Sequence, residues 1–248
     1  NDIRHMYSDH YEGTEFDLTK GVAAGPFGNP NRYLGPDDPH GDVGEQKNLK
    51  GAWERPICAY YTGYSYISQL RPDQPYPINL TSWVALNTPG ESVFVPLAVA
   101  PLPEGYERAD ARAYDPDSYW WTYNLVGEWA NLKYSYMIKD IRARAAAHES
   151  SSRKLLDDVR LLLAPLAKSN PEQALAEYGK ALGDNATRIR TDWQRFFHEL
   201  AAKYAQGGVN TPEKMAGSVG YPKDWLDATD YSGGPTQYEK RDSGAHRD

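Results

Sequence analysis

The spacing of apolar residues changes near Ala113: before it, short apolar runs alternate with Pro, Gly, Asp and Asn; after it, they recur every three or four positions. The first region predicts three strands, over Ile57–Leu70, Ile78–Leu86 and Ser92–Val99. The first is aromatic and partly β-branched, the second carries Trp83 and Val84, and the third carries Val93, Phe94 and Val95. The run Asn87-Thr88-Pro89-Gly90 has turn chemistry and predicts an antiparallel hairpin of the last two strands. Pro96 cannot donate to a ladder and belongs at an edge or where pairing ends. Residues 25–52 hold few apolar side chains and many Gly, Pro, Asp and Asn, which reads as a long loop, functional or disordered.

From Asp117 onward the pattern is helical. Trp121, Leu125, Trp129, Leu132 and Tyr136 form one stripe. Leu155, Leu156, Val159, Leu162, Leu163 and Leu166 form a second, its helix capped by Ser151 or Ser152. Ser169-Asn170-Pro171-Glu172 fits a capping box with Pro in the first turn. It opens a third helix through Ala174, Leu175, Tyr178, Ile189, Trp193, Phe196, Phe197 and Leu200, with Gly183 as a point of interruption and Gly207-Gly208 as its end. The chain turns polar after Tyr221 and is expected to fray beyond Ser232. Strands followed by helices give an α+β class. Residues 1–112 form its loop-rich and β-sheet portion, 113–231 its helical portion and 232–248 a flexible tail.

Composition narrows the function classes. The 248 residues suffice for one or two domains with a sizeable core. A net charge of -7 argues against nonspecific nucleic-acid binding, which needs a basic surface. No apolar run reaches bilayer length, so the chain reads as soluble and any targeting segment would precede Asn1. Cys58 is the only cysteine, which excludes an internal disulfide and a Cys-rich zinc site. Asn-x-Thr triplets at Asn79 and Asn185 permit a secretory route without establishing one.

Several positions carry candidate chemistry. Asp9, His10, Glu12 and Asp17 are metal-ligand types but match no closed zinc spacing, which favours a hydrogen-bonding role. His10 as a general base lacks a Ser or Cys partner at an interpretable spacing. Gly21–Gly28 fits neither phosphate-loop pattern and reads as a turn-rich loop with positive φ values. Arg32 closes that loop, where it either holds a small carboxylate or serves the structure. Cys58, inside an apolar run without a His partner, reads as an inert core residue. Asn124 and Asn131, seven apart, read as polar groups that satisfy buried partners.

Four segments carry a family resemblance: DHYEGTEFDLTKGVAAGPFGNPNR from Asp9 to Arg32, Trp53-Glu54-Arg55-Pro56-Ile57, WWTYNLVGEWANLKYSYMIKDI from Trp120 to Ile141, and Val219 to Leu226. In this order they resemble signature segments of the cysteine-type dipeptidases, which are N-terminal-nucleophile hydrolases. The resemblance implies an αββα sandwich, of which this chain would supply the C-terminal half. It implies attack on a dipeptide by an N-terminal cysteine, a thioester intermediate, and no metal or organic cofactor.

Asn1 has no nucleophilic side chain, so the reactive cysteine is expected on a preceding segment or chain, and this chain alone is expected to be inactive. The expected partner is an N-terminal half bearing that cysteine, with an exposed apolar face here for it to cover. Internal proteolysis, a naturally split assembly and truncation all fit. A homo-oligomer of the two-chain unit is possible on the same reading, and neither nucleic acid nor membrane is an expected partner. The resemblance also favours a secreted or endolysosomal location over a cytoplasmic one. Its implied site comprises Arg55 as a supporting cation for thiolate or oxyanion, with Arg32, His10 and Tyr11 on the substrate. A related amidase with a non-peptide substrate, or a noncatalytic protein on a degenerate scaffold, remains the alternative.

Overall fold

A computed structural model describes residues 2–32 and 54–231. Residues 33–53, with most of the expected 25–52 loop and Trp53, and residues 232–248, where a flexible tail is expected, lie outside the described residues. The elements in order are α1 (Asp2–Tyr7), β1 (Tyr64–Leu70), β2 (Leu80–Leu86), β3 (Val95–Leu97), α2 (Tyr119–Ala130), α3 (Tyr134–Ser169), α4 (Pro171–Lys203) and α5 (Lys223–Ala228). The mixture of a small antiparallel sheet and long helices is α+β. The described residues hold one sheet, in the order β1-β2-β3, and do not themselves form a two-sheet sandwich.

The strands are shorter than the apolar runs that announced them. β1 starts at Tyr64 because the chain before it turns: the Cys58 amide donates to the Asp9 carbonyl (3.1 Å) and the Thr62 amide to that of Ala59 (3.0 Å). β2 and β3 do pair antiparallel, with Trp83 opposite Pro96, but a buried 3-10 turn at Pro89–Glu91 and an extended stretch join them instead of a tight hairpin. Pro96 stands on β3, an edge strand of the sheet among the described residues, a position that tolerates a residue without an N–H.

The helices depart from the predicted stripes for identifiable reasons. Ser118 caps α2 by accepting the Trp121 amide at 3.2 Å. The face that α2 buries is Tyr119, Tyr123, Val126 and Ala130, while Trp121, Leu125 and Trp129 are half-buried and Leu132 is exposed. Small residues let α2 approach its neighbours closely, and Tyr123 meets Trp193 of α4 with ring centroids 5.7 Å apart. Tyr136 belongs to the next helix. Between them Lys133 is buried and its Nζ donates to the carbonyls of Tyr204 and Gly208, both at 3.1 Å, which fixes the break.

α3 then runs unbroken for 36 residues. Ser151 and Ser152 therefore cap nothing: Ser152 is fully buried, and its Oγ accepts from Asn185 Nδ2 of α4 at 3.0 Å. That contact also removes the Asn185 triplet as a modification site in the folded chain, since the amide is buried mid-helix. Asn170 caps α4 by accepting the Gln173 amide at 3.2 Å, and Gly183 passes through without interruption. Leu161 and Leu162 face outward, whereas Arg160 is buried.

Two apolar clusters form the core. Val95, Leu97 and the half-buried Val84 and Leu86 join α2 and the Ile189–Leu200 part of α4. Trp83, Ala85 and Phe94 join Leu156 and Leu163 of α3 and the Tyr178–Leu182 part of α4. Each fully buried large apolar side chain contributes about 1.5–3 kcal/mol. The β1 edge is less well covered. Tyr64, Tyr66 and Leu70 project on one side and are exposed, the two tyrosine rings stacked at 6.5 Å. An uncovered edge strand with an apolar side is a site where further chain can pair.

Candidate functional site

The segment after α1 folds by short polar side chains that capture nearby backbone donors. Asp9 Oδ1 accepts the Tyr11 amide (2.8 Å), Asp17 Oδ1 accepts the Thr19 amide (2.9 Å), and Asp17 Oδ2 accepts that of Gly13 (3.1 Å). These turns place Tyr11 at φ 64° and Gly13 at φ 82°. A left-handed tyrosine costs about 1 kcal/mol or more. Its hydroxyl is anchored in return, donating to the Arg55 carbonyl at 2.7 Å.

The turns also bury His10 completely. Glu12 reaches back to it from both oxygens: Oε2 accepts the His10 amide at 2.7 Å and Oε1 lies 3.3 Å from Nδ1. Burial raises the Glu12 pKa, but these hydrogen bonds from His10 outweigh it and bring the carboxyl down to about 2. Arg142 of α3 adds an ion pair to Glu12 at 3.4 Å. The His10 ring meets Tyr134 edge-on at 6.2 Å, and its Nε2 has no hydrogen-bond partner among the described residues.

Cys58 and Glu91 complete this interior cluster. The Cys58 sulfur accepts the Gly90 amide at 3.3 Å. A Cβ on Gly90 would stand 2.9 Å from that sulfur and 3.5 Å from His10 Cε1, so only glycine lets the three segments close. Burial, reinforced by Glu91, pushes the Cys58 thiol far above its ordinary range, and no hydrogen bond joins it to His10. A thiol held protonated and enclosed is a poor nucleophile. Burial likewise raises Glu91 to about 8, with Glu128 adding to the effect and Arg142 opposing it. Glu91 Oε1 and the Tyr134 hydroxyl lack partners among the described residues.

The signature segments meet in space although they are far apart in sequence. The Ser135 amide donates to the Phe27 carbonyl (2.8 Å), and Asn31 Nδ2 donates to Asn131 Oδ1 (2.8 Å). Asn131 thus ends α2 and ties the glycine-containing loop to it, while Asn124 is buried within the helix. From the other end of the chain, Trp225 of α5 donates to the Val22 carbonyl at 3.4 Å and Tyr221 packs on Phe27 at 5.8 Å.

The candidate residues separate into two settings. Arg55 is exposed; its guanidinium donates to the Tyr61 hydroxyl and lies 5.9 Å from that ring. Arg32 donates to the carbonyls of Leu18 (2.6 Å), Asn29 (2.8 Å) and Asn31 (3.2 Å), which makes it the clasp of its own loop. Both line one shallow niche of about 20 Å³, with Tyr60 and Tyr61 beside them. That volume holds roughly one water, well short of a dipeptide. Tyr11 reaches the niche through the Arg55 backbone, and His10 sits in the interior cluster with no surface of its own.

Peptidase family C69 has a model that matches residues 1–147, more than half of the chain. The chain belongs to peptidase family C69. At this level it is a peptidase, and the resemblance carried by the signature segments is to the same family. No curated protein matches the chain. The match covers the site cluster, from the Asp9–Arg32 turns through Glu91 to Arg142; most of α3, and all of α4 and α5, lie beyond it.

Glu91, Tyr134 and Arg142 were not singled out from the sequence of this family C69 chain. Glu91 lies between the Asn87–Gly90 turn signal and the strand expected from Ser92, and a lone acid at such a junction carries no pattern that marks it as buried. Tyr134 lies within the Trp120–Ile141 segment, where one aromatic among many gave no reason to choose it.

Proposed function

We propose that this chain is the C-terminal part of a cysteine dipeptidase and that the nucleophilic cysteine lies outside residues 1–248, on a preceding segment or a separate chain. The observation that carries this reading is the state of Cys58. The family is one of peptidases, and the single thiol in the sequence is enclosed, protonated and not hydrogen-bonded to the imidazole near it. In the proposed reaction a thiolate from outside attacks the dipeptide carbonyl, its own α-amine taking the proton. The tetrahedral intermediate expels the amine of the second amino acid, and water then hydrolyses the thioester to free the first.

In this reading Arg55 is the cation nearest the reacting centre. It is exposed, carries no carboxylate ion pair among the described residues, and is braced by Tyr61. A fixed guanidinium there stabilises a thiolate and a developing oxyanion. Arg32 holds the loop beside it, and the Glu12–His10 pair sets the turns that place Tyr11. The open β1 edge with Tyr64, Tyr66 and Leu70 supports contact with the half that bears the cysteine.

The test is hydrolysis of a dipeptide panel by the native protein and by an Arg55→Ala variant. Loss of roughly 100-fold in kcat/KM with an unchanged Tm is expected. A variant as active as the native protein removes Arg55 from the chemistry. A native protein that cleaves other amides but no dipeptide makes it a related amidase instead.

A further inference from the structure

Away from the niche, one buried charge borders an open cleft. Arg160 of α3 is only 4% exposed, and its described partners are all neutral. Nε donates to the Ile78 carbonyl at 3.1 Å and a terminal nitrogen to Thr81 Oγ1 at 2.7 Å. Thr81 is in turn hydrogen-bonded to the Tyr178 hydroxyl at 2.6 Å. No described carboxylate forms an ion pair with this guanidinium. Buried charges are ordinarily paired, because desolvation otherwise goes uncompensated.

Arg160 lines an open cleft of about 630 Å³ between α1, β1 and α3, a volume typical of small-molecule sites. Arg4, Arg71 and Arg153 stand around the same space. Of the two acids there, Glu149 is already neutralised, taking Arg4 Nε at 2.7 Å and the Phe94 amide at 3.2 Å. Asp157 is exposed at the rim. Arg4 is taken up by Glu149 and Arg71 is ion-paired with Asp73 at 3.3 Å, which leaves Arg153 and Arg160 against Asp157 among the described residues, a local excess of positive charge in a chain of net charge -7. The wall between them is apolar, made by Ile67, Leu156 and the edges of Trp83 and Phe94.

We propose that this cleft binds a small organic carboxylate with a branched apolar body, the carboxylate facing Arg160 and Arg153 and the apolar part resting on Ile67 and Leu156. The cleft shares no lining residue with the Arg32–Arg55 niche, although Leu70 belongs both to its wall and to the β1 edge proposed to meet the other half, so binding is read on the native assembly. Two sources supply such a group: the C-terminal end of a peptide and a simple branched acid.

The experiment is calorimetric titration of the full-length native protein with 4-methylpentanoate, 4-methylpentanamide, N-acetyl-leucine and inorganic phosphate. The acid is expected to bind at least about tenfold tighter than its amide, because charge-assisted bonds to guanidinium are lost in the amide. N-acetyl-leucine binding tighter than 4-methylpentanoate identifies a peptide C-terminus; equal affinity identifies a simple acid. Arg153→Gln, at an exposed position, is expected to weaken binding several-fold with an unchanged Tm. Arg160→Gln should weaken it more, but also loses structural bonds, so Arg153→Gln carries the test. Equal binding of acid and amide, no binding of either, or phosphate binding as tightly as the apolar acids overturns the proposal.

Discussion

Glu91 should dominate the pH dependence of stability between pH 5 and pH 8. It is fully enclosed, one oxygen is without a partner among the described residues, and burial lifts its pKa from 4.5 to about 8. The unfolded chain therefore releases the Glu91 proton before the folded chain does. The contribution is fully present below pH 4.5, is lost as pH rises through the folded value, and levels off above about 8. From 1.36 kcal/mol per pKa unit, the loss between pH 5 and pH 8 is about 3 to 4 kcal/mol. Glu91→Gln keeps the shape and removes the titration. Urea unfolding of both proteins at pH 5, 6, 7 and 8 isolates the effect as a difference between variants. Burial of His148 lowers its pKa, so that group acts with the opposite sign, gaining stability as pH rises; it is present in both proteins and cancels. Glu12, at about 2, matters only below that window. The native protein should lose stability relative to Glu91→Gln as pH rises. Parallel stability curves across the range would refute a buried, protonated Glu91.

Two substitutions test the neighbouring groups. Cys58→Ala should retain dipeptide hydrolysis within about twofold while lowering stability by about 1–2 kcal/mol in chemical denaturation, the cost of a small cavity. Gly127→Ala would place a Cβ 2.7 Å from both Asn87 Nδ2 and Glu91 Oε2, and should cost about 1–3 kcal/mol by the same measurement.

The sequence made some layers legible because local chemistry determined them. The start of α4 at Pro171 and its Tyr178–Leu200 stripe are found where spacing puts them, but Asn170 and not the Ser169–Glu172 box makes the cap, because Ser169 still belongs to α3 and donates back to the Pro165 carbonyl. The α2 face was misread because aromatic period outweighed the small residues that pack it: Trp121 and Trp129 stand at its flanks, while Gly127 and Ala130 make the close contact. Ser151-Ser152 looked like a helix start because a buried serine facing Asn185 cannot be told from a cap one-dimensionally. At the site, the motifs marked the Asp9–Arg32 and Trp120–Ile141 segments as signatures of one family, while their contact in space comes from the fold. The motifs could not reveal that His10 is interior or that Arg32 spends its donors on backbone carbonyls, because those outcomes depend on how the turns close. Arg160 was hidden for a similar reason: an arginine between leucines on a long helix looks solvated until α3 is laid against Ile78 and Thr81.

Thiol mapping on the native, active protein bears most directly on where the nucleophile resides. The protein is treated with iodoacetamide until dipeptide hydrolysis is lost, and the modified peptides are identified by mass spectrometry. The expected result is stoichiometric labelling of a cysteine outside residues 1–248, with Cys58 unmodified at the point of complete inactivation. Labelling of Cys58 in step with the loss of activity, with no other cysteine modified, would contradict the proposed mechanism.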